Sequence, residues 1–347
     1  MKKKNDIIII GCDITGLYAG IKCLELGFNV KIIEKKIYFG NILNNTNNIS
    51  YEFFNNNHTV FINLLKKFGI NTSQIVNNNY NNKLLNYILD KSKNIPQNIL
   101  ISLSFANLCK QLLSNNEYEE LYRDLNEDNI FSMITAYDAI NMFKYDINNT
   151  VKFFKCNDPI QELIKRMLNY FLLKKGKLIN NTEITSFTYI NKKFIIYGNY
   201  STFSCDYLIL SISKDNLLSF KIWNNEQIAL LNTVSCTDDN NLKNNYKFSY
   251  IYNYINDKDE SINFDKNIRD NLLFDLHIIY PLLKKQFKKI YYWNQNVNNV
   301  IVREKLRNIY KNNLFICSSS YSKNSMFLNY SLETFENIIP KLINKLL

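Results

Sequence analysis

Residues 6–34, DIIIIGCDITGLYAGIKCLELGFNVKIIE, limit the possible folds of this chain more than any other stretch. Four consecutive isoleucines run into Gly11, the pattern of a strand buried on both faces that ends in a tight turn. Over 14–26, apolar residues at Leu17, Ile21, Leu24 and Leu26 predict a helix, with Gly27 placed to close it. Residues 28–33 form a second apolar run, which ends at Glu34.

A strand, glycine turn, helix, strand and terminal acid within about 30 residues form the βαβ unit that holds a dinucleotide. Gly11 suits the sharp turn, Gly16 the close packing of helix on strand, and Glu34 the hydroxyls of an adenosine ribose. The helix N-terminus, with its unpaired N–H groups, would face a pyrophosphate. The middle glycine of G-x-G-x-x-G, however, is replaced by Asp13. A carboxylate a few ångströms from a pyrophosphate repels it by roughly several kcal/mol at an effective dielectric near 20.

The 347 residues suffice for two domains. Asparagine, isoleucine, lysine and tyrosine abound, whereas glycine occurs 8 times and proline 4 times, a bias that A/T-rich codons produce by themselves. Asparagine clusters at 44–48 and 77–82 read as solvated loops. The net charge of +11 invites a nucleic-acid partner, but the lysines are scattered and no basic stripe alternates with aromatics, so none is expected. Seven cysteines without a C-x-x-C pair point to buried thiols in a reducing compartment, and a cytoplasmic location is expected. Lysines before isoleucines at the start imitate a signal peptide, but the apolar run breaks at Asp13. No stretch reaches the length of a membrane-spanning helix.

Further along, 51–54 reads as a short strand and 59–68 as an amphipathic helix stopped by Gly69. Residues 75–150 lack strand signals, with helices expected over 99–113, 117–125 and 136–143. Asp158-Pro159 reads as an N-cap and first helical position, followed by helical periodicity from Ile160 to Leu172 and a stop at Gly176. Strands are expected at 178–179, 184–189, 194–197 and 207–212. Sheet and helix are expected over 220–300, including 248–254 and 290–293, then a buried strand at 314–318 and a helix over 332–346.

This order resembles the flavin-containing amine oxidase family, over most of the chain. The family's opening G-x-G-x-x-G-L-x-A unit is matched by Gly11, Gly16, Leu17 and Ala19, its E-K by Glu34 and Lys35, and its G-G-R loop by Gly40. Residues 205–220, CDYLILSISKDNLLSF, look like its D-x-V-I-L-A-I-P strand and following helix start. Residues 313–339, NLFICSSSYSKNSMFLNYSLETFENII, are similar to its C-terminal N-L-Y-I-C-G-E-A segment and the glycine-rich run after it. Within the family, the shortened proteins of large DNA viruses look most similar.

The resemblance implies an α/β protein: a discontinuous Rossmann-type FAD-binding domain (1–75, 150–215 and 300–347) with an inserted mixed α/β substrate-type domain (76–149 and 216–299). It also implies FAD extended along the first domain and an amine oxidised by hydride transfer to flavin N5. The family-equivalent cofactor positions are Gly11, Gly16, Glu34, Gly40, Ile184 through its main chain, Ser318 and Ser319. Phe327 and Trp293 are candidates for an aromatic substrate cage, as are Tyr291 and Tyr292. Departures fall along the cofactor path. Besides Asp13, Asn41 and Ile42 replace the second glycine and arginine of G-G-R, and Lys155 to Asp158 replaces paired glycines. Ser318-Ser319 stands for Gly-Glu, and residues 326–331, MFLNYS, replace the last glycine-rich run. No glycine follows Gly198. The reading is an amine-oxidase-like protein with eroded FAD contacts and a binding or structural role within a viral assembly; its rival is a working FAD-dependent oxidoreductase with an unusual pyrophosphate grip.

Other chemistry is poorly supported. His58 reads as a helix-cap or surface residue and His277 as a core histidine; neither has a carboxylate pair or a cysteine nearby in sequence. A hydrolytic triad through Ser318, Ser319 or Ser320 lacks its G-x-S-x-G elbow. Cys12 beside a helix N-terminus invites a lowered pKa, against which stands a buried strand-end thiol.

Overall fold

The computed structural model describes residues 5–37, 53–74, 82–125, 135–146, 151–212, 214–220, 223–226, 228, 313–318, 322 and 328–344. The strands β1 (Asp6–Ile10), β2 (Asn29–Ile33), β6 (Lys177–Ile179), β10 (Tyr207–Leu210) and β11 (Leu314–Ile316) form one parallel sheet, in the order β11-β10-β1-β2-β6. Ile7 to Ile10 are buried because β1 is central and both of its faces are covered, which is why this strand reads as a run and not as an alternation. The chain runs outward on either side of β1. The carboxyl end of β1 is therefore a topological switch point, where open α/β sheets bind ligands.

One face of the sheet packs on α1 (Ile14–Glu25), α2 (Thr59–Lys67), α8 (Ile160–Leu173) and α10 (Leu328–Glu336), through Leu17, Ile21, Phe61, Met167, Phe171 and Phe335. The other face is covered by an antiparallel sheet of β7 (Ile184–Ile190), β8 (Lys193–Gly198) and β9 (Thr202–Cys205), with Ile8, Ile10 and Ile33 meeting Phe187, Phe194 and Ile196. A third sheet pairs β3 (Phe53–Asn55) and β4 (Thr72–Gln74) with β5 (Phe153–Cys156). A separate apolar cluster joins α3 (Lys83–Ser92), α4 (Gln97–Ser102), α5 (Phe105–Leu112), α6 (Asn115–Leu125) and α7 (Ala136–Asp146) around Phe105, Leu108 and Phe143. The short α9 (Lys214–Leu218) follows β10, and α11 (Ile339–Ile343) ends the described chain.

The architecture is thus the expected α/β one, with local corrections. The helix expected over 99–113 is two, because Ser104 leaves the helical conformation and its Oγ accepts from the Asn107 N–H (3.2 Å). Asp158 does not cap α8: Pro159 holds that position, and Asp158 Oδ2 instead accepts from the Asn71 N–H (2.8 Å), tying β4's approach to the helix. The last helix starts earlier than 332, breaks after Glu336, and resumes with Pro340 in its first turn, where a missing N–H costs nothing. β4, β5 and β9 were not expected; β4 (TSQ) has no apolar residue and β5 (FFKC) is too short to show an alternation. Expected elements over 248–254 and 290–293 lie outside the described residues. Among the described residues no helix is long and apolar enough to cross a membrane.

Candidate functional site

At the switch point the chain turns at Gly11, whose φ is +102°. Its N–H donates to Ile33 O (2.9 Å), and Ser211 N–H donates to Ile10 O (2.8 Å), so the turn is held from both neighbouring strands. A Cβ on Gly11 would lie 2.0 Å from Ser211 O, and one on Gly16 would lie 2.2 Å from Gly11 O. Close approach of the chain to itself therefore demands both glycines, with or without a ligand.

Asp13 is the N-cap of α1. Its Oδ1 accepts from the Gly16 N–H (2.7 Å) and from the Ser211 hydroxyl (2.6 Å). The carboxylate thus satisfies a donor of the first helical turn and bolts that turn to the end of β10. Glu34, just after β2, turns inward: Oε2 accepts from the Cys12 N–H (2.8 Å) and Oε1 from the Lys36 N–H (3.0 Å). The Glu34 carbonyl accepts from the Thr182 N–H (3.0 Å), which brings the start of β7, with Ile184, beside the acid.

Two carboxylates so close and so little hydrated leave a mark on the titratable groups. Burial pushes the Asp13 carboxyl up to about 6 and the Glu34 charge adds to this, while the bonds from Ser211 and Gly16 oppose it. Burial, then Glu34, then Asp13 push the Cys12 thiol up to about 12, so the activated thiolate weighed from sequence gives way to an inert buried thiol. A raised carboxyl pKa means that the folded state holds its proton more tightly than the unfolded chain does. The associated stability is present below pH 4 and lost as pH rises through 6. Asp13→Asn keeps an oxygen for Gly16 and Ser211 without the charge. It should flatten the stability profile over that window and gain on the order of 2 kcal/mol at pH 7, with partial exposure allowed for. Urea unfolding of both proteins at pH 4, 5, 6 and 7 measures this; parallel curves would dismiss the strained carboxylate.

The far side of the site is built by α10. Thr15 Oγ1 and Ser331 Oγ share a hydrogen bond of 2.5 Å, and Asn329 Oδ1 accepts from the Phe61 N–H (3.0 Å). Tyr330 is buried, with its ring edge-on to His58 at 5.3 Å between centroids. His58 precedes α2 at the cap position, but its side chain does not cap. It is fully buried and Nδ1 accepts from the Asn55 N–H (3.1 Å), which corrects the surface or capping role. Ser318 is buried just after β11. The structure therefore brings together Gly11, Gly16, Glu34 and the start of β7. Gly40, Asn41, Ile42, His277, Tyr291, Tyr292, Trp293, Ser319, Ser320, Met326 and Phe327 lie outside the described residues. Ser211 was missed; its signal was a polar residue closing the apolar run YLIL, one position past the pairing of Ile10 with Leu210. Among the described residues no cluster of His, Cys, Asp and Glu could hold a metal.

No family model and no curated protein matches the sequence. Solved structures do. Wild-type putrescine oxidase bound to putrescine superposes with a TM-score of 0.69, at 11% identity over 99% of both chains. The chain has the putrescine oxidase fold. An oxidoreductase from Methanosarcina mazei matches with a TM-score of 0.63 at 10% identity, over 96% of this chain and 100% of that one. A CLA-producing fatty acid isomerase from P. acnes matches with a TM-score of 0.65 at 13% identity, over 98% and 99%. An oxidase and an isomerase on one fold show that the fold alone does not choose the reaction.

Proposed function

We propose that this chain is an amine-oxidase-like protein whose FAD-contact positions have been taken over by its own side chains, leaving a binding or structural role. The observation that carries this reading is the Asp13 carboxylate at the head of α1, bonded to Gly16 N–H and Ser211 Oγ. These residues do not suit a pyrophosphate. The site that needs positive potential holds an anion, and the second acid, Glu34, is turned onto the Cys12 and Lys36 amides. Gly11, Gly16, Glu34, Gly40, Ile184, Ser318 and Ser319 are on this view inherited positions, with Phe327 and Trp293 the inherited cage. The domain division at 76–149 and 216–299 belongs to the same proposal. Resemblance to the shortened viral proteins, together with the A/T-rich composition, supports a protein partner in a virus-associated assembly.

The second reading, an active FAD-dependent amine oxidoreductase, draws on the intact turn at Gly11 and on the fold shared with putrescine oxidase. Titration of the purified protein into FAD, followed by flavin fluorescence at pH 7.5, separates the two. The first reading expects no saturable quenching at micromolar protein; stoichiometric quenching, or protein that purifies yellow, overturns it and supports the second.

A further inference from the structure

The parallel sheet has another rim. At the amino ends of β1, β2 and β6, about 16 Å down β1 from Gly11 at ~3.3 Å per residue, a cavity of about 420 Å³ opens. Its size falls within the range of small-molecule sites. Lys31, Lys174, Lys175 and Lys177 line it, with Phe28 among its apolar walls and Asp6 as its carboxylate.

Two observations set this cluster apart from ordinary surface lysines. Lys31 and Lys177 are direct partners in the register of β2 and β6, so their side chains leave the same face of the sheet side by side. Like charges in that arrangement oppose folding unless an anion lies between them. None of Lys31, Lys175 and Lys177 forms an ion pair with a described carboxylate. The neighbouring acids are occupied: Asp6 Oδ1 accepts from Asn29 Nδ2 (3.1 Å), and Asp206 pairs with Lys193 (2.9 Å). In addition, Lys175 holds a φ of +68°, a conformation costly to a residue with a Cβ, at a bend where glycine would fit without strain.

We propose that this cavity binds a phosphate monoester carried on a short apolar or aromatic body. Lys174 holds its ammonium over the Tyr170 ring (5.5 Å), which leaves three lysines without an ion pair against one carboxylate in the lining; this balance suits a dianion better than a monoanion, and the Phe28 side receives the apolar part. The site lies at the opposite end of the sheet from the glycine turn and does not depend on whether FAD binds there.

1-Naphthyl phosphate is a suitable probe, read by its fluorescence and by the rise in Tm that a native-state ligand produces. The wild type should bind it saturably, about 10-fold more tightly than inorganic phosphate, which lacks the apolar body, or 1-naphthoate, which lacks the second charge. Lys31→Met/Lys177→Met should weaken binding by about 10-fold or more while raising the ligand-free Tm, since a repulsion has been removed. Lys175→Gly, which suits the left-handed backbone, should also weaken binding without loss of stability. Lys83→Met, in α3, should match the wild type. Absence of saturable binding by the wild type overturns the proposal. So does equal affinity across the wild type and both cavity variants, or an equal loss in Lys83→Met.

Discussion

Asp13→Gly should raise the affinity for FAD by about 100-fold or more at pH 7.5. Removing one charge at about 4 Å, with an effective dielectric near 20, relieves about 4 kcal/mol of repulsion, and each 1.4 kcal/mol is tenfold. The substitution also removes the acceptor on Gly16 N–H and Ser211 Oγ, returning both donors to an incoming phosphate. The cost to the fold is small, because glycine at an N-cap loses only a few tenths of a kcal/mol. A pH series isolates the cause. With its carboxyl pushed up to about 6, the wild type should gain FAD affinity between pH 7.5 and pH 5 as Asp13 takes up its proton, whereas the glycine variant should show less of this gain. If the variant binds no better than the wild type at any pH, other positions on the cofactor path block the nucleotide and the emphasis on Asp13 is mistaken.

Gly11→Ala should cost the fold at least about 4 kcal/mol, enough to leave a marginal protein unfolded. Two penalties coincide there: a left-handed φ of +102°, and a methyl group 2.0 Å from the Ser211 carbonyl oxygen, which neither strand can move without breaking the central pairing. Gly27→Ala supplies the comparison. Its φ is +92°, yet nothing lies within 4 Å of the added carbon, so only the conformational penalty of about 1 kcal/mol remains. Urea midpoints, with the soluble fraction on expression as a fallback, measure the gap. Similar losses in the two variants would mean that the turn yields more readily than its packing implies.

The βαβ unit was legible because a buried parallel strand, a helix period and a glycine cap each leave a separate trace in sequence. The antiparallel strands β4 and β5 left none: three or four residues long and partly exposed, they are defined by partners distant in the chain. The candidate site was half legible. Asp13 stood out as a breach of a known spacing, but the bond that explains its tolerance comes from Ser211, 198 residues away, whose one trace in sequence, a polar residue closing an apolar run, does not name its partner. The inward turn of Glu34 onto Cys12 was equally hidden, since the terminal acid of such a unit is expected to face a ribose.

The hydroxyl pair of Thr15 and Ser331 spans 316 positions of the chain, and the Tyr18 phenol reaches Glu336 across 318. Part of the surface of α1 is therefore covered only by a segment translated some 316 residues after it. Contacts of such sequence separation close a long loop, and their formation is slow for that reason. Any truncation that removes α10 should leave α1 in a form that chaperones hold and proteases find.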